Sequence, residues 1–382
     1  MKKKILSIIG ARPQIIKSSA LSRAISTKYA DTMEEIIVHT GQHYDQNMSE
    51  IFFTEMSIPR PKYNLEVGSG THGAMTAKMI EGLEQIFFQE KPDAIVVYGD
   101  TNSTLAGAIA AAKIYIPIVH IEAGLRSFNK RMPEELNRIA CDHMSTLLFC
   151  PTQTGINNLQ KEGFKIDGQG KASIDQPKVY HCGDIMYDNS LFFSTYSKNQ
   201  STILDSLILS EDDFFLCTIH RDSNTDQKES LNAIFQALLN ISKKHNQQIV
   251  LPLHPRTKNK INELVEVGLR DEIENCNALK IIPPAGFFDI IELEKNARLI
   301  ITDSGGLQKE AFFFKKPCVI LREQTEWIEI VENGNAIIAG SNQKNIEHAV
   351  DTLLTKKNFT YPSYYGDGNA ADFIVQKILT DL

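Results

Sequence analysis

The chain has 382 residues, of which 42% are hydrophobic and 23% are charged, and its formal net charge is −7. This composition is ordinary for a globular protein, and the length favours two or three domains. The acidic balance argues against nucleic acid or an acidic membrane surface as a general partner, although it leaves room for a local basic pocket around a phosphate.

The cysteines and the short apolar runs predict a cytoplasmic protein. None of the six cysteines belongs to a CxxC pair, and buried free thiols in a reducing compartment are the simplest interpretation. The first apolar run is too short for a signal peptide and is interrupted by Arg12. No run approaches the roughly 20 apolar residues that span a bilayer, so we expect no membrane partner.

Short apolar runs alternate with longer amphipathic segments along the whole chain. Strands are predicted at residues 5–9, 35–39, 94–98, 118–121 and 147–150, and again at 214–219, 248–253, 279–282, 299–302 and 318–321. Apolar strands separated by helices are typical of parallel sheets covered on both faces. We expect an α/β protein with two Rossmann-like doubly wound domains that face a cleft.

Two segments, at residues 90–101 and 294–306, share a pattern of helix end, buried strand and polar small-residue turn. Two similar domains explain this correspondence. The predicted bounds are 1–178 for the first domain, 179–360 for the second, and 361–382 for a C-terminal helix that returns to the first. Ligands of such sheets bind beyond the carboxyl ends of the strands, so the site is expected in the cleft.

Three predicted turns that contain glycine are candidates for ligand binding. The turn at 10–17 carries Arg12 and Lys17 before a helix, and a helix N-terminus attracts anions, but a plain surface turn explains it equally well. Residues 68–73 spell GxGxxG without a strand in front, so we do not expect NAD there. In the turn at 302–310, Gly305 and Gly306 allow backbone N–H groups to approach a diphosphate, and Glu310 follows on the helix.

Acids and a histidine follow several of the predicted strands. Asp100 and Glu122 each come after an apolar run, Glu134 opens a predicted helix, and His220 ends the first strand of the second half. Helix capping explains Asp100 and Glu134 individually. Carboxylates that share a site raise one another's pKa values, which suits acid–base catalysis. His254 ends another strand, and either a functional or a structural role fits it.

The chain resembles the non-hydrolysing UDP-N-acetylglucosamine 2-epimerase family over residues 5–340. The segments that carry the resemblance are GARPQIIK, TGQH, VYGDTNST, HIEAGLR, MPEELNR, TIHR, LPLHPR and TDSGGLQKEA. The SGG segment alone also occurs in glycosyltransferases of the same two-domain architecture. A glycosyltransferase and a non-catalytic sugar-nucleotide sensor are therefore the alternatives, and the acids of the first half favour the epimerase.

The resemblance implies inversion at C2 of a UDP-linked N-acetylated amino sugar, by elimination of UDP and its re-addition to a 2-acetamidoglucal. It also implies a homodimer that needs neither NAD nor an essential metal. The implied catalytic residues are Asp100, Glu122, Glu134 and His220. The implied UDP-binding residues are Arg12, Lys17, Ser304, Gly305, Gly306, Glu310 and Arg322, and we add His43 and Arg221 as further predicted substrate-binding residues.

Several segments depart from the common family pattern. Residues 322–329 read REQTEWIE where many members have Arg-x-x-Thr-Glu-Arg-Pro-Glu, and Gln14 stands where Glu is common. Residues 43–48 differ as well, which puts in doubt the allosteric substrate site of some members. These segments, together with SFNKR at 127–131, are similar to the subgroup that acts on UDP-2,3-diacetamido-2,3-dideoxyglucuronate for bacterial surface polysaccharides.

A glucuronate sugar has a C6 carboxylate, and burying that charge requires a cation. Lys130 and Arg131 lie just before Glu134, and the planar guanidinium of Arg131 suits a carboxylate better. Two solvated loop cations are the alternative interpretation. Arg131 is therefore a predicted substrate-binding residue.

Overall fold

The computed structural model describes residues 2–41, 58–166, 168 and 170–382. These residues form two compact units, the first made of Met1–Asn189 with Ser363–Leu382 and the second of Ser190–Pro362. Within the described ranges, no helix combines the length and the hydrophobicity that a membrane crossing requires.

The first unit contains a seven-stranded parallel sheet in the order β3-β2-β1-β4-β5-β6-β7. Its strands are β1 Lys3–Ile9, β2 Met33–His39, β3 Tyr63–Asn64, β4 Ala94–Tyr98, β5 Ile118–Ile121, β6 Leu147–Cys150 and β7 Lys178–His181. The strand order reverses at β1, which pairs with both β2 and β4. A reversal of this kind opens a crevice at the carboxyl ends of the two central strands.

The second unit repeats this arrangement with six parallel strands in the order β10-β9-β8-β11-β12-β13. The strands are β8 Phe214–Thr218, β9 Gln248–Pro252, β10 Leu279–Ile282, β11 Leu299–Thr302, β12 Cys318–Ile320 and β13 Ala336–Ile338. Its reversal point lies at β8, which pairs with both β9 and β11.

Helices connect the strands and cover the sheets. In the described residues they are α1 Arg12–Ala24, α2 His72–Glu90, α3 Asn102–Lys113, α4 Pro133–Met144, α5 Gln153–Lys161, α6 Ile185–Gln200, α7 Ile203–Leu207, α8 Asp222–Thr225, α9 Lys228–His245, α10 Pro255–Leu264, α11 Val267–Asn275, α12 Phe287–Asn296, α13 Gly305–Phe313, α14 Ile328–Glu332, α15 Gln343–Thr355 and α16 Ala370–Asp381. A π-helical turn, Ile25–Tyr29, extends α1.

Both sheets are buried on their two faces. In β1 the consecutive side chains Ile5 and Leu6 are both inaccessible to solvent, although neighbours in a strand point to opposite faces. The equivalent strand of the second unit shows the same feature at Phe215 and Leu216. Near-continuous apolar strands therefore form here because helices cover each sheet from both sides.

The C-terminal helix α16 belongs to the first unit, where it packs against α1. The backbone N–H groups of Ala370 and Ala371 donate to the carboxylate of Asp188 on α6, at 3.1 and 2.8 Å. Asp188 therefore caps a helix that lies almost two hundred residues further along the chain, because the N-terminal N–H groups of a helix need external acceptors.

The prediction of an α/β protein with two doubly wound domains is confirmed. Five strands have the predicted bounds at both ends: β4, β5, β6, β10 and β11. Strands β3, β7 and β13 were not predicted. Strand β7 begins at Lys178 and pairs with β6, so it joins the first sheet. The units accordingly divide after Asn189, within α6, and not at the predicted position 178.

Candidate active site

Two acids lie together at the carboxyl edge of the first sheet, next to its reversal point. Asp100 follows Gly99 at the end of β4, and Glu122 directly follows β5. Gly99 has φ +63°, and a Cβ at this position would lie 3.0 Å from Glu122 Oε2 and 3.3 Å from Lys17 Nζ. The turn after β4 can pass this close to the two charged side chains because it contains glycine.

Glu122 forms an ion pair with Lys17 of α1, and both side chains are largely buried. Its backbone has φ +73°, a left-handed conformation that costs energy for a residue with a side chain. Strain of this kind persists where the surrounding structure holds the residue in place. The structure therefore places Lys17, a predicted UDP-binding residue, against one of the predicted catalytic carboxylates.

Asp100 is half-buried and accepts a hydrogen bond of 2.5 Å from the guanidinium of Arg138. Burial raises the pKa of Asp100 above its ordinary value, and the nearby charges of Glu122 and Glu134 act in the same direction, while Arg138 and Lys17 oppose them. The carboxyl group is therefore biased towards holding a proton in the presence of two other acids.

Helix capping does not explain Asp100. The N-cap of α3 is Thr101, whose Oγ1 accepts from the backbone N–H of Thr104 at 3.3 Å. Thr101, and not Asp100, therefore caps α3.

The first turn of α4 contains two acids with different environments. Pro133 begins the helix, as predicted, and Glu134 is exposed, but close enough for its charge to raise the Asp100 pKa. Glu135 is buried and accepts hydrogen bonds from the backbone N–H groups of Ser127 and Phe128, at 2.8 and 2.9 Å. The buried acid therefore fixes the loop before α4, and the exposed one is available to a ligand.

Two further predicted residues of the first unit lie at the start of α1 and in the loop before α4. Arg12 is the first residue of α1 and is exposed, and Arg131 is exposed on the loop before α4. The backbone N–H of Arg131 donates to Asn129 Oδ1 at 3.2 Å. His43, with the departing segment around it, lies outside the described residues.

In the second unit, His220 pairs with Asp303. His220 Nδ1 lies 2.9 Å from Asp303 Oδ1, and the histidine side chain is half-exposed whereas Asp303 is fully buried. Burial raises the pKa of Asp303, but contact with His220 and the backbone N–H groups of His220 and Arg221 outweigh this, so the pKa lies below its ordinary value. An ionised Asp303 therefore orients the imidazole.

Four of the predicted UDP-binding residues lie at the N-cap of α13 or within this helix: Ser304, Gly305, Gly306 and Glu310. Ser304 is the N-cap and accepts from the Leu307 N–H at 3.4 Å. A Cβ on Gly305 would lie 3.7 Å from Arg322 Nη1 and one on Gly306 would lie 3.8 Å from Glu310 Oε2. These glycines, Arg322 and Glu310 are thus neighbours around one helix N-terminus.

Charged and aromatic groups surround this helix end. Arg322 forms two hydrogen bonds of 2.9 Å with the carboxylate of Glu326. Trp327 donates from Nε1 to the Gly305 carbonyl at 3.0 Å, and the buried amine of Lys309 lies 4.2 Å from the centre of its ring. Trp327 stands in the segment that departs from the family pattern, and here it packs directly onto α13.

Arg221 and His254 have defined structural contacts. Arg221 Nε donates to the backbone carbonyl of Asp303 at 3.1 Å. His254 is the N-cap of α10 and its Nδ1 accepts from the Arg256 N–H at 3.3 Å. The structural alternative for His254 is the one that the contacts support.

Arg138 and Asp303 were not singled out by the sequence, although each contacts a predicted catalytic residue. Asp303 could have been found from its position directly after β11, because β11 lies beside β8 and His220 follows β8. Arg138 was harder to find, because its role depends on one turn of α4 facing the end of β4, which the sequence does not reveal.

Two features of the described residues bear on dinucleotide and metal binding. Residues 68–73, which spell GxGxxG, begin three residues after the two-residue edge strand β3 and end in the first turn of α2, whereas a dinucleotide site opens directly from a strand of a βαβ unit. Within the same described ranges, no group of three or more His, Cys, Asp or Glu side chains is arranged to hold a metal ion.

A family model described as UDP-N-acetylglucosamine 2-epimerase matches residues 26–379 of the chain. The chain belongs to the UDP-N-acetylglucosamine 2-epimerase family. A curated relative from Pseudomonas aeruginosa, UDP-2,3-diacetamido-2,3-dideoxy-D-glucuronate 2-epimerase, is 48% identical over 98% of both chains. The UDP-N-acetylglucosamine 2-epimerase of Methanocaldococcus jannaschii is 42% identical over 99% of both chains.

Solved structures agree with membership in this epimerase family. A crystal structure of the Methanocaldococcus jannaschii UDP-GlcNAc 2-epimerase in complex with UDP-GlcNAc and UDP has a TM-score of 0.84 and 40% identity, covering 98% of this chain and 99% of that one. A Phytolacca americana protein, UGT2, matches with a TM-score of 0.60 at 12% identity, which shows a shared fold only. The expected isomerase family is thereby confirmed.

Proposed function

We propose that this chain interconverts the C2 epimers of a UDP-linked N-acetylated amino sugar, with UDP-2,3-diacetamido-2,3-dideoxyglucuronate as its substrate. The observation that carries the proposal is the grouping of Asp100 and Glu122 with Lys17 and Arg138 at the reversal point of the first sheet. The choice of sugar is supported by the Pseudomonas aeruginosa relative, which bears that substrate in its name at 48% identity.

The chemistry explains why several acids are needed. The C2 proton is not next to a carbonyl, so its direct removal would be very slow. Elimination avoids this difficulty, because UDP leaves C1 with the bonding electrons while a base takes the C2 proton, which gives a C1=C2 double bond. UDP then adds back to C1 and a proton is delivered to the other face of C2. The reaction requires two proton-handling groups and a firm hold on UDP.

The first unit supplies groups suited to the two proton transfers. The ion pair with Lys17 favours the carboxylate form of Glu122, which suits a base. Burial and neighbouring acids raise the pKa of Asp100, which suits a proton donor. Because the enzyme runs in both directions, the two groups exchange roles in the reverse reaction.

The second unit supplies groups suited to UDP. Helix α13 opens with Gly305 and Gly306, so its N–H groups can approach a diphosphate without obstruction by side chains. Arg322 lies beside this helix end, and its Glu326 contact can be exchanged for a phosphate contact. His220, oriented by Asp303, adds a further group that can carry a proton.

Arg131 is the proposed contact for the C6 carboxylate of the sugar. Its side chain is exposed, and Glu135 and Asn129 hold the loop that carries it. A cation on an ordered loop can pair with a carboxylate at a smaller entropic cost than a cation on a flexible one.

The test uses the purified protein with each of the two UDP-sugars in D2O and without any acceptor. We expect deuterium at C2 of both epimers, slow release of free UDP, and faster turnover of the glucuronate sugar. Retention of all hydrogen at C2, or transfer only after an acceptor is added, contradicts the proposed reaction.

A pair of variants tests the choice of substrate. Arg131→Met should depress turnover of the glucuronate sugar far more than turnover of UDP-N-acetylglucosamine, whereas Lys130→Met, its exposed neighbour, should affect both sugars little. Equal losses on both sugars, or a wild-type preference for UDP-N-acetylglucosamine, overturn the assignment and leave the C2 epimerisation standing.

A further inference from the structure

A fully buried histidine lies beneath the two acid-bearing turns of the first sheet. His120 is the third residue of β5, and its side chain and that of Asp142 on α4 are both inaccessible to solvent. The proposed proton transfers make no use of this histidine. Its contacts nevertheless connect the backbone of both turns.

Each ring nitrogen of His120 faces a hydrogen-bond acceptor. Nδ1 lies 2.7 Å from Asp142 Oδ1, and Nε2 lies 2.8 Å from the backbone carbonyl oxygen of Gly99. A carbonyl oxygen cannot donate, so Nε2 must carry a hydrogen. If Asp142 is ionised, Nδ1 must also carry one, and the ring is then an imidazolium.

The other contacts of Asp142 identify it as the ionised partner. Its second oxygen, Oδ2, accepts from the guanidinium of Arg126 at 2.7 Å and from the backbone N–H of Gly124 at 3.1 Å. Arg126 is in turn held by the Glu162 carboxylate through two hydrogen bonds of 2.7 Å. An acid that receives an arginine and a backbone N–H on one oxygen is stabilised as the carboxylate.

The balance of neighbouring groups agrees with a charged ring. Burial opposes the charged form and lowers the pKa of His120, but Cys141 and Asp142, which face the ring from α4, outweigh it, so the pKa lies well above its ordinary value. Burial alone raises the pKa of Asp142, yet the charges of His120 and Arg126 bring it below its ordinary value.

The chain of contacts ends at the two turns that carry the acids. Gly99, whose carbonyl accepts from His120, immediately precedes Asp100 and is packed against Glu122. Gly124, whose N–H donates to Asp142, lies two residues after Glu122. One His–Asp pair therefore sets the backbone position of both acids relative to α4.

We propose that His120 is a permanently charged, buried imidazolium that acts as a positioning residue, holding the turns of Asp100 and Glu122 at the spacing that the two proton transfers require. The importance of that spacing rests on the proposed function, whereas the charge state of the ring does not. A displacement of about 1 Å at a reacting group can reduce turnover by about a hundredfold.

The first experiment is ¹⁵N NMR of the histidine rings in the full-length wild-type protein at about pH 8, above the ordinary histidine pKa of about 6.5. We expect both nitrogens of His120 to carry hydrogen. Asp142→Asn should turn the ring neutral. A bare ring nitrogen in the wild-type protein, or no change in the Asp142→Asn variant, overturns the charge assignment.

The second experiment tests positioning with His120→Asn and a matched control, His245→Asn, which removes a His–Asp contact of 3.0 Å in the second unit. The first variant should lower kcat by about tenfold to a hundredfold with UDP affinity unchanged, and the control should match wild type. An unchanged kcat overturns the positioning role. If His120→Asn does not fold, kcat of Asp142→Asn decides in its place.

A failure of the proposed function would look different. A wild-type protein that epimerises neither sugar would remove the reaction that His120 is proposed to serve. The NMR spectrum would still decide whether the ring is charged, because it is recorded without substrate.

Discussion

Asp100 and Glu122 differ in their partners although both lie just beyond the ends of neighbouring strands. Asp100 pairs with Arg138 and Glu122 with Lys17. We expect Asp100→Asn and Glu122→Gln to lower turnover by about a hundredfold or more, since each removes a group that transfers a proton. Calorimetry should find UDP affinity much less changed.

His220→Asn belongs with these variants, with a turnover loss of the same order expected. Glu34→Gln, which alters an exposed acid on β2, serves as the control and should behave as wild type. Near-normal turnover in all three site variants would mean that the site lies elsewhere.

His39 makes the stability of the first unit depend on pH. Burial lowers its pKa to about 4, and its Nδ1 accepts the Gly41 N–H at 2.9 Å, which requires a neutral ring. Between about pH 4 and 6.5 the unfolded chain therefore binds a proton that the folded chain does not, so stability falls with falling pH by up to about 1.4 kcal/mol per unit.

Denaturant unfolding at a series of pH values tests this expectation. His39→Gln should flatten the dependence across that window, whereas His348→Gln, at an exposed position on α15, should leave it unchanged. A dependence that is identical in the wild type and the His39→Gln variant would contradict the assignment.

Asp100 and Glu122 could be predicted from the sequence because each one follows an apolar run, and the carboxyl ends of parallel strands meet at one edge. Their partners could not. Lys17 and Glu122 lie on different elements, and their contact depends on the strand order β1-β4-β5. The pairing of His220 with Asp303 likewise depends on β8 lying beside β11.

At the scale of elements, the turn after β5 is in backbone contact with α5. Gly124 has φ +77°, and a Cβ there would lie 2.5 Å from the Gly155 carbonyl oxygen. Gly163, at the end of α5, has φ +97° and open space around the corresponding position. Both backbone conformations are unfavourable for a residue with a side chain, but only the position of Gly124 is crowded by neighbouring atoms.

Gly163→Ala should therefore cost about 1–2 kcal/mol of stability, the cost of a left-handed backbone conformation alone. Gly124→Ala should cost about 1–3 kcal/mol more, because α5 must move. Chemical denaturation of the two variants measures the difference. Equal losses would show that α5 adjusts without cost.

The strands that could not be predicted are very short or contain polar side chains. Strands β4, β5 and β6 are buried along their whole length and have the predicted bounds. Strands β3 and β13 have two and three residues, and β7 alternates polar and apolar side chains, so none shows a run long enough to recognise. Their pairing partners, and not their own pattern, make them strands.

At the scale of the whole molecule, the last helix stabilises the unit that contains the first strand. Ile374 on α16 is fully buried in the first unit. Ile374→Ala should cost about 2–5 kcal/mol and should speed hydrogen exchange in β1 and α1. Exchange in β8 and β11, which belong to the second unit, should stay close to wild type.

Leu353→Ala, a buried change on α15 of the second unit, is the matched control and should give the opposite pattern. If both variants speed exchange throughout the chain, the two units unfold as one cooperative structure.

The indole of Trp327 provides a spectroscopic probe of α13. It is the single tryptophan of the sequence, and it donates to the carbonyl of Gly305, the first residue of the helix proposed to hold the diphosphate. The cation of Lys309 lies over its ring and makes its emission sensitive to nearby charge. Intrinsic fluorescence can therefore titrate UDP directly in every variant, including those without turnover, and so separate loss of binding from loss of chemistry.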